Sequence, residues 1–208
     1  MNSIITIGRE YGSGGKEIGE KLAKEFDIPF YDKELISIAS KQSGICEDLF
    51  YQNDEVQSGS FIYSLLMGTY SIGEGGMIHP EMPFNEKVFL AQFDVIKDLA
   101  KKGPCVIVGR CADYVLKDEK NVMNFFITAD LESRIERVSK SQDNKQKKIE
   151  ETIKKFDKKR ATYYKYYASK KWGLASNYDL CINSSTLGID NSVQIIKNFV
   201  EYKEKTAK

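Results

Sequence analysis

SIITIGREYGSGGKEIGEKLAKEF, residues 3–26, is the stretch that decides the fold. It opens on an apolar run rich in β-branched side chains, Ile4, Ile5, Thr6 and Ile7, which reads as a strand buried on both faces. A glycine-dense turn follows, with glycine at 8, 12, 14 and 15. Ile18, Leu22, Ala23 and Phe26 then recur at helical spacing, so a helix begins near Gly15. Strand, glycine turn and helix in that order make a phosphate cradle. Glycines let successive backbone N–H groups converge on an anion, and the helix N-terminus adds partial positive charge. The candidate phosphate-binding residues are Gly12, Ser13, Gly14, Gly15, Lys16 and Glu17, with the Lys16 ammonium set against the outer phosphates.

The spacing departs from the general pattern G-x-x-x-x-G-K-[ST] at two places. Counting back from Gly15-Lys16 puts Glu10 where the first glycine belongs, and Gly8 lies two residues early. Glu17 stands where a Ser or Thr hydroxyl would hold Mg²⁺. The alternative is an ordinary tight turn of an α/β protein. Four glycines, a lysine and both flanking elements in register weigh against it.

The wider stretch resembles the start of the cytidylate kinase-like family, P-loop proteins related to the nucleoside monophosphate kinases. REYGSGGKEIG at residues 9–19 and the Phe30-Tyr31-Asp32 box carry the likeness. Further support comes from Gly109-Arg110-Cys111-Ala112-Asp113, from D-x-x-R-x-x-Y-Y at residues 157–164, and from residues 172–185. The likeness therefore covers nearly the whole chain and is weakest over residues 43–83. It implies a three-layer α/β P-loop NTPase fold with a five-stranded parallel sheet in the order 2-3-1-4-5. It implies phosphoryl transfer from ATP with Mg²⁺, within one domain. Small excursions would bind the acceptor (residues 43–84) and form a lid (residues 134–170).

Composition bounds the rest. At 208 residues, with 31 Lys and Arg against 30 Asp and Glu, the chain reads as one domain with no bulk charge for nucleic acid. No apolar run reaches membrane-spanning length, and the start lacks a basic-then-apolar leader, so the expectation is a cytoplasmic protein with no membrane partner. A homo-oligomer stays open. Cys46, Cys105, Cys111 and Cys181 show no C-x-x-C spacing, and Cys105 and Cys181 sit in apolar runs where a free cysteine packs as a small hydrophobe. One histidine, His79, is too few for a multi-histidine metal site.

Further strands are expected at residues 30–31, 105–108, 121–128 and 178–183. Helices are expected at 33–41, 85–102, 130–140 and 191–203, with shorter ones at 47–52 and 61–70 and fraying over 204–208. Asp32 reads either as the N-cap of the following helix or as a substrate-side acid at a strand's C-terminal end. Arg110, at the end of a wholly apolar strand, suits bidentate phosphate recognition, and the resemblance assigns it the acceptor phosphate. Asp113 can orient Arg110, approach Mg²⁺ or cap a helix. The related cytidylate kinases carry an acid immediately before that glycine, where this chain has Val108. Candidate metal ligands are therefore Glu17, Asp32 and Asp113, with the rest of the Mg²⁺ shell left to phosphate and water.

Residues 137–171 hold thirteen Lys and Arg against four Asp and Glu. In helix 130–140, Leu131, Ile135 and Val138 form the expected buried stripe, while Arg134 and Arg137 share another face. Further on, Arg160 interrupts the stripe Ile149, Ile153, Phe156, Tyr163 and Tyr167, with Asp157 three residues before it and close enough to pair. Arg134, Arg137 and Arg160 are the candidates to close over the donor phosphates. Tyr63, Met67 and Tyr70 are candidates for a base pocket. The leading expectation is transfer to a nucleoside monophosphate such as CMP or dCMP. The alternatives are a nucleotide-binding regulatory module without turnover, or a kinase of another small molecule.

Overall fold

A computed structural model describes residues 2–49, 83–140 and 146–206, with side chains from 148 onward in the last stretch. The elements are β1 (Ile4–Arg9), α1 (Gly15–Phe26), β2 (Phe30–Tyr31), α2 (Glu34–Ser43), α3 (Phe84–Lys102), β3 (Val106–Val108), α4 (Ala112–Val115), β4 (Val122–Thr128), α5 (Leu131–Ser139), α6 (Gln146–Ala168), β5 (Leu180–Asn183) and α7 (Ser184–Thr206). The five strands form one parallel sheet in the order β2-β3-β1-β4-β5, as expected.

Alternation along β1 divides the core. Ile4 faces the side covered by α2 and α3, packing with Leu35, Ile36, Val95, Ile96 and Ile107. Ile5 and Ile7 face α1 and α7, packing with Ile18, Leu22, Val108, Phe125, Val193 and Ile196. Burying each such side chain stabilises the fold by about 1.5–3 kcal/mol. Helices on both faces explain why the strands read as continuous apolar runs. They also hold the strands' C-terminal ends together at the point where the sheet order reverses around β1, which is where such sheets bind ligands.

Several boundaries differ from the sequence reading. β1 continues through Gly8 and Arg9, so Gly8 is a strand residue paired with Phe126. It is glycine because a Cβ there would lie 2.8 Å from the Phe126 ring. α7 starts at Ser184, breaks at Gly188 (φ 73°) and runs through Thr206. Glu204 is tied down rather than frayed: its Oε1 accepts from the Asn2 and Ser3 amides and the Ser3 hydroxyl at 2.8, 3.0 and 2.6 Å. Cys105 is buried, which pushes its thiol up to about 11, but Cys181 is exposed on the edge strand rather than packed. Residues 47–49 are helical; the remainder of that expected helix, the 61–70 helix, Tyr63, Met67, Tyr70 and His79 lie outside the described residues. No helix among the described residues is long and apolar enough to cross a membrane.

Candidate active site

Three strand ends deliver the floor of the site. Arg9 ends β1, Asp32 follows β2, and Gly109-Arg110 follows β3. Asp32 is not a helix cap, because α2 begins after Lys33 and the carboxylate turns instead to the floor. Its Oδ1 accepts from Arg110 Nη1 at 2.6 Å and lies 3.6 Å from Arg9 Nη2, while its Oδ2 lies 3.7 Å from Lys16 Nζ. Burial alone would raise this carboxyl, but Arg110, Arg9 and Lys16 outweigh it and hold it below the usual range. Among the described residues, three cations share this carboxylate.

The turn that returns Arg110 to Asp32 has Gly109, Arg110 and Cys111 in succession at φ 79°, 53° and 54°. A left-handed backbone at a residue with a side chain costs on the order of 1–3 kcal/mol, and such strain clusters at functional sites. Arg110 also donates to the Val108 carbonyl at 3.2 Å, so its fork is braced against its own strand.

The glycine loop lies directly above. Gly12 and Gly14 have φ of 78° and 81°, conformations that a side chain disfavours. Gly14 is the N-cap of α1 and offers no side-chain cap. The first bond of the helical ladder runs from the Ile18 amide to the Gly14 carbonyl at 2.9 Å, so the amides of Gly15, Lys16 and Glu17 precede it. Such an uncapped terminus is an anion site. Ser13 is fully buried and faces inward: its hydroxyl donates to the Glu10 carbonyl, and its own carbonyl accepts from the Ser184 hydroxyl at 2.6 Å. It shapes the loop from behind.

The expected lid arginines divide into different roles. Leu131 is 37% exposed, and Arg134 takes its place in the buried stripe of α5 with Ile135 and Val138. Arg134 donates to the Tyr11 carbonyl at 2.8 Å and pairs with Asp157 and Glu10. Asp157 therefore pairs with Arg134 rather than Arg160, and it also accepts from the Tyr11 amide at 2.8 Å. Glu10, in the place of the first motif glycine, accepts from the Thr128 hydroxyl and the Ala129 amide and so ties the loop to β4. Arg137 donates to the Gly12 carbonyl at 2.5 Å. Arg160 donates to the Arg9 carbonyl at 3.0 Å, with its guanidinium 5.7 Å from the centre of the Tyr11 ring. Asp130 sits at the N-cap of α5 but its carboxylate makes no cap bond; it accepts from Asn183 instead.

These parts enclose an open cleft of about 740 Å³. Gly12, Gly14, Gly15, Lys16 and Glu17 line it, as do Asp32, Arg110, Arg137 and Arg160. Its lining counts seven Lys and Arg against four Asp and Glu, a wall suited to a polyanion. Asp113 is not in the cleft. It is half-buried in a small neighbouring cavity, where the Tyr164 hydroxyl donates to it at 2.6 Å. Burial raises its carboxyl above the usual range.

The cleft fits the phosphates of ATP: left-handed glycines, an uncapped helix terminus and converging cations are all present. The described residues do not fit a protein-held Mg²⁺. Glu17 pairs with Lys21 at 3.3 Å, Asp32 is shared by three cations, and Asp113 lies elsewhere. No group of three metal-binding side chains occurs among the described residues.

Of the sequence candidates, the fold thus gathers Gly12, Gly14, Gly15, Lys16, Glu17, Asp32, Arg110, Arg137 and Arg160 at one cleft. It sets Ser13 and Arg134 behind the loop and Asp113 outside. Arg9, Lys33 and Lys159 also line the cleft and were missed. The signal for Arg9 was a charged residue at the C-terminal end of a mostly apolar strand, close to the signal that picked out Arg110.

Residues 4–186 match the profile of the cytidylate kinase-like family. No curated protein matches. Among solved structures, an uncharacterized protein from Eubacterium ventriosum ATCC 27560 is 28% identical, with 96% of this chain and 98% of that one covered and a TM-score of 0.70. The shikimate kinase from Bacteroides thetaiotaomicron is 13% identical, with 97% and 99% covered and a TM-score of 0.53. That from Acinetobacter baumannii, solved in complex with shikimate, is 11% identical, with 98% and 94% covered and a TM-score of 0.52. The likeness to these two kinases is one of fold.

Proposed function

Because the chain belongs to the cytidylate kinase-like family, we propose that it transfers a phosphoryl group from ATP to a nucleoside monophosphate, CMP or dCMP in the first place. Family and fold support a phosphotransferase. The observation that carries the finer reading is the joining of two anion sites in one cleft. The cradle of Gly12–Lys16 and the arginine Arg110 face each other across a single carboxylate, Asp32. A donor phosphate held at the first site and an acceptor phosphate at the second would meet in line. The acceptor oxygen then forms the new P–O bond as the bond to the donor's bridging oxygen breaks, and that electron pair leaves with the diphosphate. An ionised phosphate acceptor has no proton to give up, so no general base is required, and positioning and charge stabilisation do the work.

The chain's own residues divide that work. Lys16 neutralises charge at the helix mouth, Arg110 orients the acceptor, and Asp32 fixes Lys16 and Arg110 relative to each other. Arg137 and Arg160 close the flank while bracing the loop through Gly12 and Arg9. ADP production from ATP, measured with Mg²⁺ against nucleoside monophosphates and shikimate, tests the reading. Turnover that depends on CMP or dCMP and is lost in Lys16→Ala and Arg110→Ala is expected. Turnover with shikimate alone would transfer the acceptor site to a non-nucleotide.

A second reading, a nucleotide-binding regulatory module without turnover, is favoured by one observation. Val108 and the Lys21-paired Glu17 occupy the places where related kinases contact the metal shell. ATP binding by calorimetry with no turnover against the whole panel would select it.

A further inference from the structure

We propose that Arg9 is a further catalytic residue, a guanidinium that contacts the phosphoryl group between the Gly12–Lys16 cradle and Arg110. The proposal rests on the kinase reading of the cleft. Its first support is position. Arg9 is the last residue of the central strand β1 and lines the cleft. Strand β1 is also where the sheet order reverses, so its end lies between the loop that follows it and the loop that follows β3.

The second support is the space reserved for its side chain. A Cβ at Gly15 would lie 2.5 Å from the Arg9 Cβ, and one at Gly109 would lie 2.0 Å from Arg9 Nη1. Both distances are too short for real atoms, so with Arg9 in this position its stem lies against Gly15 and its guanidinium against Gly109. Gly15 opens the helix of the cradle, and Gly109 immediately precedes the acceptor arginine. Arg9 is thus wedged between the two elements that hold donor and acceptor. Gly109 has φ 79° and needs glycine for its backbone as well, but Gly15 is helical and has no such need. Its lack of a side chain lets the first carbons of the Arg9 side chain, Cβ and Cγ, pass against the start of α1.

The third support is how the residue is held. Its guanidinium lies 3.6 Å from Asp32 Oδ1, the same oxygen that accepts from Arg110, and its carbonyl accepts from Arg160 at 3.0 Å. One carboxylate therefore sets the spacing of Arg9 and Arg110, and Lys16 adjoins its other oxygen. A planar fork fixed in this way is preorganised for phosphate oxygens, so no reorganisation is needed as charge shifts. In the transfer itself Arg9 neither gains nor loses a proton. It stabilises the equatorial oxygens while the bond to the acceptor forms and the bond to the diphosphate breaks.

Two measurements test this and keep it separable from the kinase reading. The first is the kcat and KM of Arg9→Gln and Arg9→Lys with the active acceptor. A fall in kcat of about 100-fold or more in Arg9→Gln is expected, larger than any rise in the KM for ATP, with partial recovery in Arg9→Lys. The second is calorimetric titration with inorganic pyrophosphate, which needs no turnover. Wild-type binding that weakens at least about tenfold in Arg9→Gln is expected. Arg9→Lys, which keeps the charge in the slot, answers both measurements should the glutamine variant not fold. Wild-type turnover with kcat and pyrophosphate affinity unchanged in the variants overturns the proposal and leaves the kinase reading standing. Absence of wild-type turnover with every acceptor overturns the kinase reading, and the catalytic role with it. Weakened pyrophosphate binding in the variants would then leave Arg9 only as a residue of the anion site.

Discussion

The floor of the cleft and its flank are both built from arginine and carboxylate, yet they are built to opposite ratios. On the floor, Arg9, Arg110 and Lys16 gather around one carboxylate, Asp32. On the flank, one arginine, Arg134, sits between two carboxylates, Glu10 and Asp157, and also donates to the Tyr11 carbonyl. The flank satisfies its arginine with protein and spends it on holding the glycine loop. The floor concentrates positive charge at a cleft wall. An arginine near a phosphate cradle is thus assigned by what accepts its hydrogen bonds, and not by its distance along a helix.

The largest expected effect breaks the floor. Asp32→Asn leaves Arg9, Arg110 and Lys16 facing one another without their shared carboxylate. Removing one partner of a buried ion pair costs about 3–5 kcal/mol, to be read as a lower urea midpoint. Pyrophosphate should restore more of the lost thermal stability in this variant than it adds to the wild type, because it replaces the missing charge. A variant as stable as the wild type would dissolve the contrast. Lys16→Ala comes next and touches chemistry alone. Lys16 is half exposed, so stability should stay within about 0.5 kcal/mol, while kcat falls about 100- to 1000-fold, or about 2.7–4 kcal/mol of barrier.

Arg134→Met probes the flank. It leaves Asp157 and Glu10 without their cation and frees the Tyr11 carbonyl, for an expected loss of about 1.5–3 kcal/mol. Since the arginine holds the loop rather than the ligand, pyrophosphate affinity should fall only as far as the loop loosens, and far less than in Lys16→Ala. Equal losses of affinity in the two variants would place Arg134 among the ligands and erase the distinction.

The fold was legible because its signals are local. Apolar runs such as residues 105–108, the glycine turn and the helical spacing of Ile18 and Leu22 each declare an element within a few residues. The cradle was legible for the same reason. What escaped depended on meetings across the chain. Asp157 and Arg160 stand three apart on one helix, and spacing alone pairs them, yet Arg134 arrives from α5 and takes the carboxylate. Leu131 reads as core until Arg134 fills the stripe it was given. Asp32 reads equally as a cap or as a substrate-side acid, and its turn to the cleft depends on Arg110 reaching it from 78 residues away. Resemblance supplied the strand order, which no local pattern encodes.

The smallest expected effect separates two acids, the buried Asp32 and the half-buried Asp113, by the sign of their pH dependence. Asp32 is held below the usual carboxylate range, because its three cations outweigh its burial. Its contribution to stability is present above the unfolded value of about 3.9 and is lost as pH falls through the lower folded value. Asp113 is shifted the other way, because burial outweighs the Tyr164 hydroxyl and its neighbouring amides. Its contribution is full below the unfolded value and is lost as pH rises through the raised folded value. Asp113→Asn removes that titration. Urea midpoints of wild type and variant between about pH 3 and pH 7 should therefore diverge, the wild type losing ground relative to the variant as pH rises. The hydroxyl of Tyr164 already offsets part of the burial, which keeps the effect small. A constant difference between the two proteins would mean that Asp113 titrates alike folded and unfolded. Its cavity would then belong with the solvated cleft, and the divide between charged floor and half-buried surroundings would have to be drawn elsewhere.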